Sequence, residues 1–183
     1  MALNETLYAG YGAMASPMML EALTARTPYV VGMVAMKDVE LCIQGMQQIP
    51  DEVVDTAPLR RSPRQMIRAA WDDEAFESYV IRQKAGTYVS AMLYRLSDYE
   101  TELLADWELN DFGWHQRMDV TIVRPWGNRL VAKTDGIGPN QAVQRVVPGI
   151  VYTPYLRSPA EMHRRATQAR TDYLRRAGFR HDS

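Results

Sequence analysis

Glu108 is the side chain in this sequence best placed to move a proton. It follows directly on a helical stretch over residues 98–107, so it falls at a helix C-terminus. There the negative end of the helix dipole disfavours a further negative charge. Trp107 and Leu109 flank it and take away part of its hydration. Six acids (Asp98, Glu100, Glu102, Asp106, Glu108, Asp111) and no Lys or Arg lie within residues 97–116, and like charges also disfavour ionisation. All three effects move the Glu108 carboxyl toward neutrality, the range in which one group can both accept and return a proton. The plain alternative is an exposed glutamate at the end of a solvated helix.

The second chemical feature lies near residue 10. Residues 3–10 read as a short strand and Tyr11-Gly12-Ala13-Met14-Ala15 as a tight loop. Ser16-Pro17 then supplies an N-cap and a first helical position for a helix to about Ala25. Backbone N–H groups at such a junction can hold an anion. The alternative is an ordinary turn before a well-capped helix. There is no phosphate-binding G-x-x-x-x-G-K-[ST] motif, and Gly10-x-Gly12 lacks the third glycine of a dinucleotide fingerprint. His115, His163 and His181 are far apart and form no His-x-x-x-His pair. Cys42, the one cysteine, falls inside an apparent strand and reads as a small buried hydrophobe rather than a nucleophile.

The elements that must position these groups are marked by caps. Ser62-Pro63-Arg64-Gln65, Ser97-Asp98-Tyr99-Glu100 and Ser158-Pro159-Ala160-Glu161 each carry the capping-box pattern. The first opens a helix with Met66, Ile67, Ala70 and Trp71 on one stripe, with a break at Asp72-Asp73 and a second helical stretch over 74–82. The second opens the helix that ends at Glu108. The third opens a helix to about Ala177, with Gly178 as its stop. Residues 29–36 and 39–45 read as paired strands around Lys37-Asp38, and 47–59 as a loop. Residues 87–96, 117–125 and 129–133 are further strands, the last two joined at Trp126-Gly127-Asn128. Residues 141–147 and 150–155 also read as extended. Strands and helices interspersed without a strict βαβα rhythm predict an α+β fold.

Composition sets the outer bounds. At 183 residues, 46% hydrophobic, the chain suits a single domain with a sizeable core. One cysteine excludes an intrachain disulfide and a Cys-rich zinc site. The longest apolar run, residues 29–36, is far short of the ~20 residues a membrane helix needs. Residues 1–5 lack the basic and apolar regions of a secretory signal, so a cytoplasmic location without membrane contact is expected. The net charge of -1 removes the simplest argument for nucleic-acid binding. That sum hides an asymmetry: residues 157–183 hold seven Arg against three acids. The acidic stretch and this basic tail read as two solvated helix faces that meet electrostatically; an RNA-binding helix is the weaker alternative.

Several segments together resemble the gamma-glutamylcyclotransferase-like superfamily. Leu7-Tyr8-Ala9-Gly10-Tyr11-Gly12-Ala13-Met14 resembles its tyrosine-glycine-serine-asparagine loop. Val89-Ser90-Ala91-Met92-Leu93-Tyr94-Arg95-Leu96-Ser97 is similar to its central strand. Glu102-Leu103-Leu104-Ala105-Asp106-Trp107-Glu108 matches the helix and catalytic glutamate, and Phe112-Gly113-Trp114-His115 the glycine-aromatic turn. Tyr152, followed by Ser158-Pro159, is similar to a family tyrosine and terminal helix. The resemblance covers most of the chain except residues 47–86, a helical and loop segment within the single domain of residues 1–183.

The resemblance implies a small mixed β-barrel flanked by helices. It implies cyclisation of a gamma-glutamyl amine or peptide to 5-oxoproline with release of the amine, and no metal or organic cofactor. Glu108 would be the general acid/base, and Tyr11, Gly12, Ala13, Met14 and Tyr152 would bind the gamma-glutamyl substrate. Three departures stand against the family pattern. Ala13 and Met14 replace serine and asparagine, Leu109 replaces a glycine, and an aromatic hydroxyl near the site is shifted onto Trp114 or His115. Ala13, Met14 and Leu109 motivate a second reading, a catalytically diverged small-molecule binding or interaction module on the same fold.

Overall fold

The computed structural model describes residues 5–125, 127–148 and 155–180. Strand β1 (Glu5–Gly10) leads through a 3-10 turn (Gly12–Ala15) into helix α1 (Pro17–Thr24). Strand β2 (Tyr29–Gly45) precedes α2 (Pro63–Trp71), and β3 (Glu77–Ser97) runs into α3 (Asp98–Trp107). Strands β4 (Gln116–Val123), β5 (Arg129–Gly136) and β6 (Arg145–Val146) follow, and α4 (Pro159–Arg180) ends the described chain.

The strands close a barrel. β3, β1, β5, β4 and β2 are hydrogen-bonded in that order, and β2 pairs back onto β3. β1 and β5 run parallel and the other barrel pairs antiparallel, so the barrel is mixed. Short β6 adds to β2 at Cys42 and Ile43. The fold is therefore α+β, a small mixed barrel flanked by helices.

Side-chain alternation along the strands fills two cores at once. Ala9, Met36, Leu93, Ile122 and Ala132 fill the barrel interior. Their neighbours Tyr8, Tyr94 and Leu96 point the other way, onto Leu20 and Leu23 of α1, Leu103 and Leu104 of α3 and Ala166 of α4. Each such fully buried Leu contributes roughly 1.5–3 kcal/mol. A third cluster, with Trp71, Phe76, Phe112 and Trp114, packs at one end of the barrel.

The caps form as the sequence predicts at two helices. Ser62 and Gln65 make both bonds of a capping box, and so do Ser97 and Glu100. Ser158 accepts from the Glu161 N–H at 3.2 Å. Ser16 flanks Pro17 but makes no side-chain cap bond.

Several expectations are corrected. Residues 29–36 and 39–45 are not a hairpin pair but one 17-residue strand, β2, broken by a bulge at Lys37–Val39 with Asp38 at φ 59°. Both halves pair with β3, which needs a local kink because one strand must serve both ends of a small barrel. The helical stretch expected over 74–82 is instead strand from Glu77, where Val80 and Ile81 are completely buried. The helix expected to stop at Gly178 continues to Arg180. The expected extended segment 141–147 is reduced to β6, and 150–154 lie outside the described residues, as do Trp126 and Tyr152.

The acidic stretch and the basic tail do meet. Arg176 of α4 binds Asp106 of α3 at 2.5 Å, and the Tyr173 hydroxyl donates to Glu102 at 2.9 Å. Among the described residues no helix is long and apolar enough to cross a membrane.

Candidate active site

Glu108 stands where α3 ends. Its N–H donates to the Leu104 carbonyl at 2.9 Å, and the Leu109 and Asn110 N–H groups then close the helix end on Asp106 and Ala105. Leu109 then turns the chain in the left-handed region, φ 53°, and buries its side chain beside Phe112 and Trp114. The position where the resemblance places a glycine thus keeps the glycine-like backbone. For a leucine that conformation costs roughly 1–2 kcal/mol, opposed by apolar burial.

The Glu108 side chain is 18% exposed, and it borders a cavity of about 300 Å³. Tyr11, Gly12, Ala13 and Met14 line the same cavity. The two features read from the sequence are therefore brought to one space. Trp71 and Phe76 add an aromatic wall, placed by the 47–86 segment, and Met162 and Arg165 of α4 add another side.

The 3-10 turn is held rigidly. Tyr94 donates its hydroxyl to the Met14 carbonyl at 2.9 Å, and the Tyr11 hydroxyl reaches the Asp135 carbonyl at 2.8 Å. The Met14 N–H is consumed within the turn, on the Tyr11 carbonyl. The Gly12 and Ala13 N–H groups donate to no acceptor among the described residues. Gly12 has φ +55°, and a Cβ there would come within 3.1 Å of Tyr79. Close approach as well as backbone conformation therefore calls for glycine. Met14 itself is buried in the helix-facing core.

Beneath the site lies a polar cluster that the sequence reading missed. Asp135, fully buried, accepts from the Tyr8 hydroxyl at 2.9 Å and the Asn110 amide at 2.8 Å. Arg117 donates to both of its oxygens, Nε at 3.0 Å and Nη2 at 2.9 Å. The bidentate pair and two further donors satisfy the charge that burial would otherwise disfavour. The only local signal was a Thr134-Asp135 dipeptide at the end of an alternating strand.

Burial pushes the Glu108 carboxyl up from its ordinary 4.5 to about 8. The buried Asp135 charge raises it further and the Arg117 guanidinium opposes. The direction agrees with the sequence reading, but the charge responsible comes from β5 rather than from the acidic stretch, where Asp106 is engaged by Arg176. The Tyr8 phenol is held protonated by burial and by Asp135. Burial lowers the His115 imidazole to about 4, so the ring is neutral. Its Nδ1 lies 2.8 Å from the Glu108 carbonyl, which can only accept, so the proton sits on Nδ1. Trp114 Nε1–H donates to Gln44 at 2.8 Å. Of the two residues proposed to replace an aromatic hydroxyl, His115 is the one that touches Glu108.

Cys42 is buried in β2 and its thiol is pushed up by burial. Among the described residues no three His, Cys, Asp or Glu side chains converge as metal ligands would.

The arrangement can do proton transfer at a half-dry cavity edge, in a cavity that Gly12 and Ala13 also line. No family model matches the chain, and no curated protein does. Solved structures do. A gamma-glutamyl cyclotransferase superposes with a TM-score of 0.57 over 79% of this chain and 73% of its own, at 12% identity. An uncharacterised Homo sapiens protein gives 0.56 over 79% and 72%, at 13% identity. An Arabidopsis thaliana protein gives 0.51 over 79% and 75%, at 16% identity. The chain carries the gamma-glutamyl cyclotransferase-like fold.

Proposed function

We propose that the protein is a gamma-glutamyl cyclotransferase-type enzyme, which closes a gamma-glutamyl amide on itself to give 5-oxoproline and a free amine. The observation that supports this reading is geometric: Glu108, Gly12 and Ala13 line one cavity. In the reaction the substrate α-amine attacks its own γ-carbonyl. The new N–C bond forms as the amine's proton passes to the Glu108 carboxylate. The bond to the leaving nitrogen then breaks as the same proton is delivered to it. A carboxyl near pH 8 releases and recovers a proton with little cost in either direction at neutral pH. The Gly12 and Ala13 N–H groups are donors for the oxyanion or for the glutamyl carboxylate. Because attacker and target belong to one molecule, holding the chain folded supplies much of the acceleration.

The test is to incubate the protein with a panel of gamma-glutamyl amines and dipeptides and to assay 5-oxoproline. Turnover that survives unchanged in Glu108→Gln would sink the mechanism. A second reading, ligand binding without turnover, draws on Ala13 and Met14, which offer no side-chain donors. Ligands that raise the melting temperature without yielding 5-oxoproline would favour it.

A further inference from the structure

Arginine and aromatic side chains are layered along one wall of the cavity. Arg157, just before α4, lies over two rings, its guanidinium carbon 5.1 Å from the Trp71 centroid and 5.2 Å from that of Phe76. Arg165 of α4 lies over Trp71 alone, at 5.3 Å. All four side chains line the cavity, and Trp71 and Phe76 belong to the 47–86 segment, where the resemblance to other chains gives out.

The two cations are alike in one respect and unlike in two. Each has an Nε shielded from solvent and without a hydrogen-bond partner. Arg157 has two rings and an acid, Asp73, at 2.6 Å. Arg165 has one ring, and neither an acid nor a hydrogen-bond acceptor among the described residues. Asp106 and Asp172, acids of the same lining, are bound by Arg176 at 2.5 Å and Arg175 at 3.4 Å.

A guanidinium is planar, and each of its faces can take a ring. Arg157 does so with Trp71 and Phe76. Trp71 is 8% exposed, so at this point of the wall a ligand meets the cation rather than the indole. Helical spacing sets Met162, Arg165 and Ala169 on the cavity face of α4, which gives the guanidinium apolar neighbours. A ring laid there gains a cation–π attraction and buries apolar area. It brings no charge that must be desolvated beside Asp106 and Asp172. Trp71 meets Trp107 edge-on at 6.4 Å, and Trp107 directly precedes Glu108, so the wall begins next to the proton-transfer group.

Resting on the cyclotransferase reading, we propose that the amine half of the substrate carries an aromatic ring, and that Arg165, held on Trp71, is the specificity-determining residue that takes this ring on its guanidinium. Glu108 then works at the scissile amide while the ring lies between α2 and α4.

The experiment compares kcat/KM for gamma-glutamylphenethylamide, its cyclohexylethyl counterpart and gamma-glutamylethylamide. The first two are close in size and differ in aromaticity, and the third has no ring. Wild type should prefer the phenethylamide to the ethylamide by about 10–100-fold, the range for burying a ring. It should prefer the phenethylamide to the cyclohexylethyl compound by about 3–10-fold, the range of a partly desolvated cation–π contact. Arg165→Met keeps apolar cover on Trp71, so it should keep the preference for a ring and erase the preference for an aromatic one. Arg165→Lys should keep part of the aromatic preference. Equal use of the phenyl and cyclohexyl compounds by wild type overturns the proposal, and that comparison needs no variant. A loss in Arg165→Met that is uniform across the three also overturns it, because Arg165 would then serve the fold or the shared glutamyl half. If none of the three yields 5-oxoproline, the cyclotransferase reading fails on its own. Calorimetric titration of the same compounds then decides the ring site. Tighter binding of the phenethylamide than of the cyclohexylethyl compound, lost in Arg165→Met, upholds it; equal binding of the two, or none, overturns it.

Discussion

His115 holds Glu108 at two points: its Nδ1 lies 2.8 Å from the Glu108 carbonyl oxygen and 3.4 Å from Glu108 Oε2. The ring is only 1% exposed and stays neutral above its lowered pKa of about 4. His115→Ala removes the donor and leaves the partly buried Glu108 carbonyl unpaired, which should cost about 1 kcal/mol in denaturant unfolding. kcat should fall more than KM changes, since the carboxyl is misplaced while the binding donors remain. In wild type, the His115 ring resonances should not titrate between pH 6 and pH 9 (roughly two or more units above its own pKa).

Glu108 links activity and stability in opposite senses. kcat/KM should rise with pH through a limb near 8, as the general base loses its proton. Stability runs the other way. Below the ordinary value of 4.5 both folded and unfolded chains hold this proton. Between 4.5 and about 8 only the folded chain does, so the contribution is lost steadily as pH rises. Glu108→Gln removes the penalty of ionising a buried group. Its melting temperature should match wild type at pH 5 and exceed it by several degrees at pH 9, a gain of at most a few kcal/mol. Thermal melts across that range check the divergence.

Asp135→Asn should be among the most damaging single substitutions in the chain. It leaves the partly exposed Arg117 guanidinium without its bidentate partner, a loss of about 1–3 kcal/mol. It also removes the charge that helps to keep Glu108 protonated and leaves the one that opposes. In whatever fraction folds, the rising limb of activity should move below pH 8. The double variant Asp135→Asn/Arg117→Met should recover part of the stability, which equilibrium unfolding can measure.

At Leu109 the ordinary ranking of small residues should invert. Both Leu109→Ala and Leu109→Gly lose the buried side chain, roughly 1.5–3 kcal/mol. Only glycine relieves the φ of 53°. Leu109→Gly should therefore be more stable than Leu109→Ala by about 1 kcal/mol, read from paired denaturant melts.

The helix signals were legible because capping is local. Ser62 with Gln65 and Ser97 with Glu100 lie three residues apart, and the same chemistry marks them in sequence and in space. Glu108 was legible for that reason too, as the first residue past a well-marked helix. β2 and β3 were not, because the bulge at Asp38 and the positive φ of Gly86 look like a turn until both flanks are seen to pair with the same partners. The start of β3 was misread because Val80 and Ile81 are buried among residues distant in sequence. Asp135 was the hardest. Its partners Tyr8, Asn110 and Arg117 come from three separate stretches and meet only in the closed barrel.

The parallel join of β1 to β5 sets Tyr8 beside Lys133, two residues from Asp135. That contact spans most of the chain and carries the largest loop-closure entropy of any barrel pairing, so it forms late in folding. Tyr8 and Asp135 bond across the same seam, and the Tyr11 hydroxyl ties the 3-10 turn to it. Before the seam shuts, Glu108 is an ordinary surface carboxylate at the end of a helix. A complete chain that has not yet paired β5, or one whose first strand has frayed, thus carries every residue of the site and none of its chemistry.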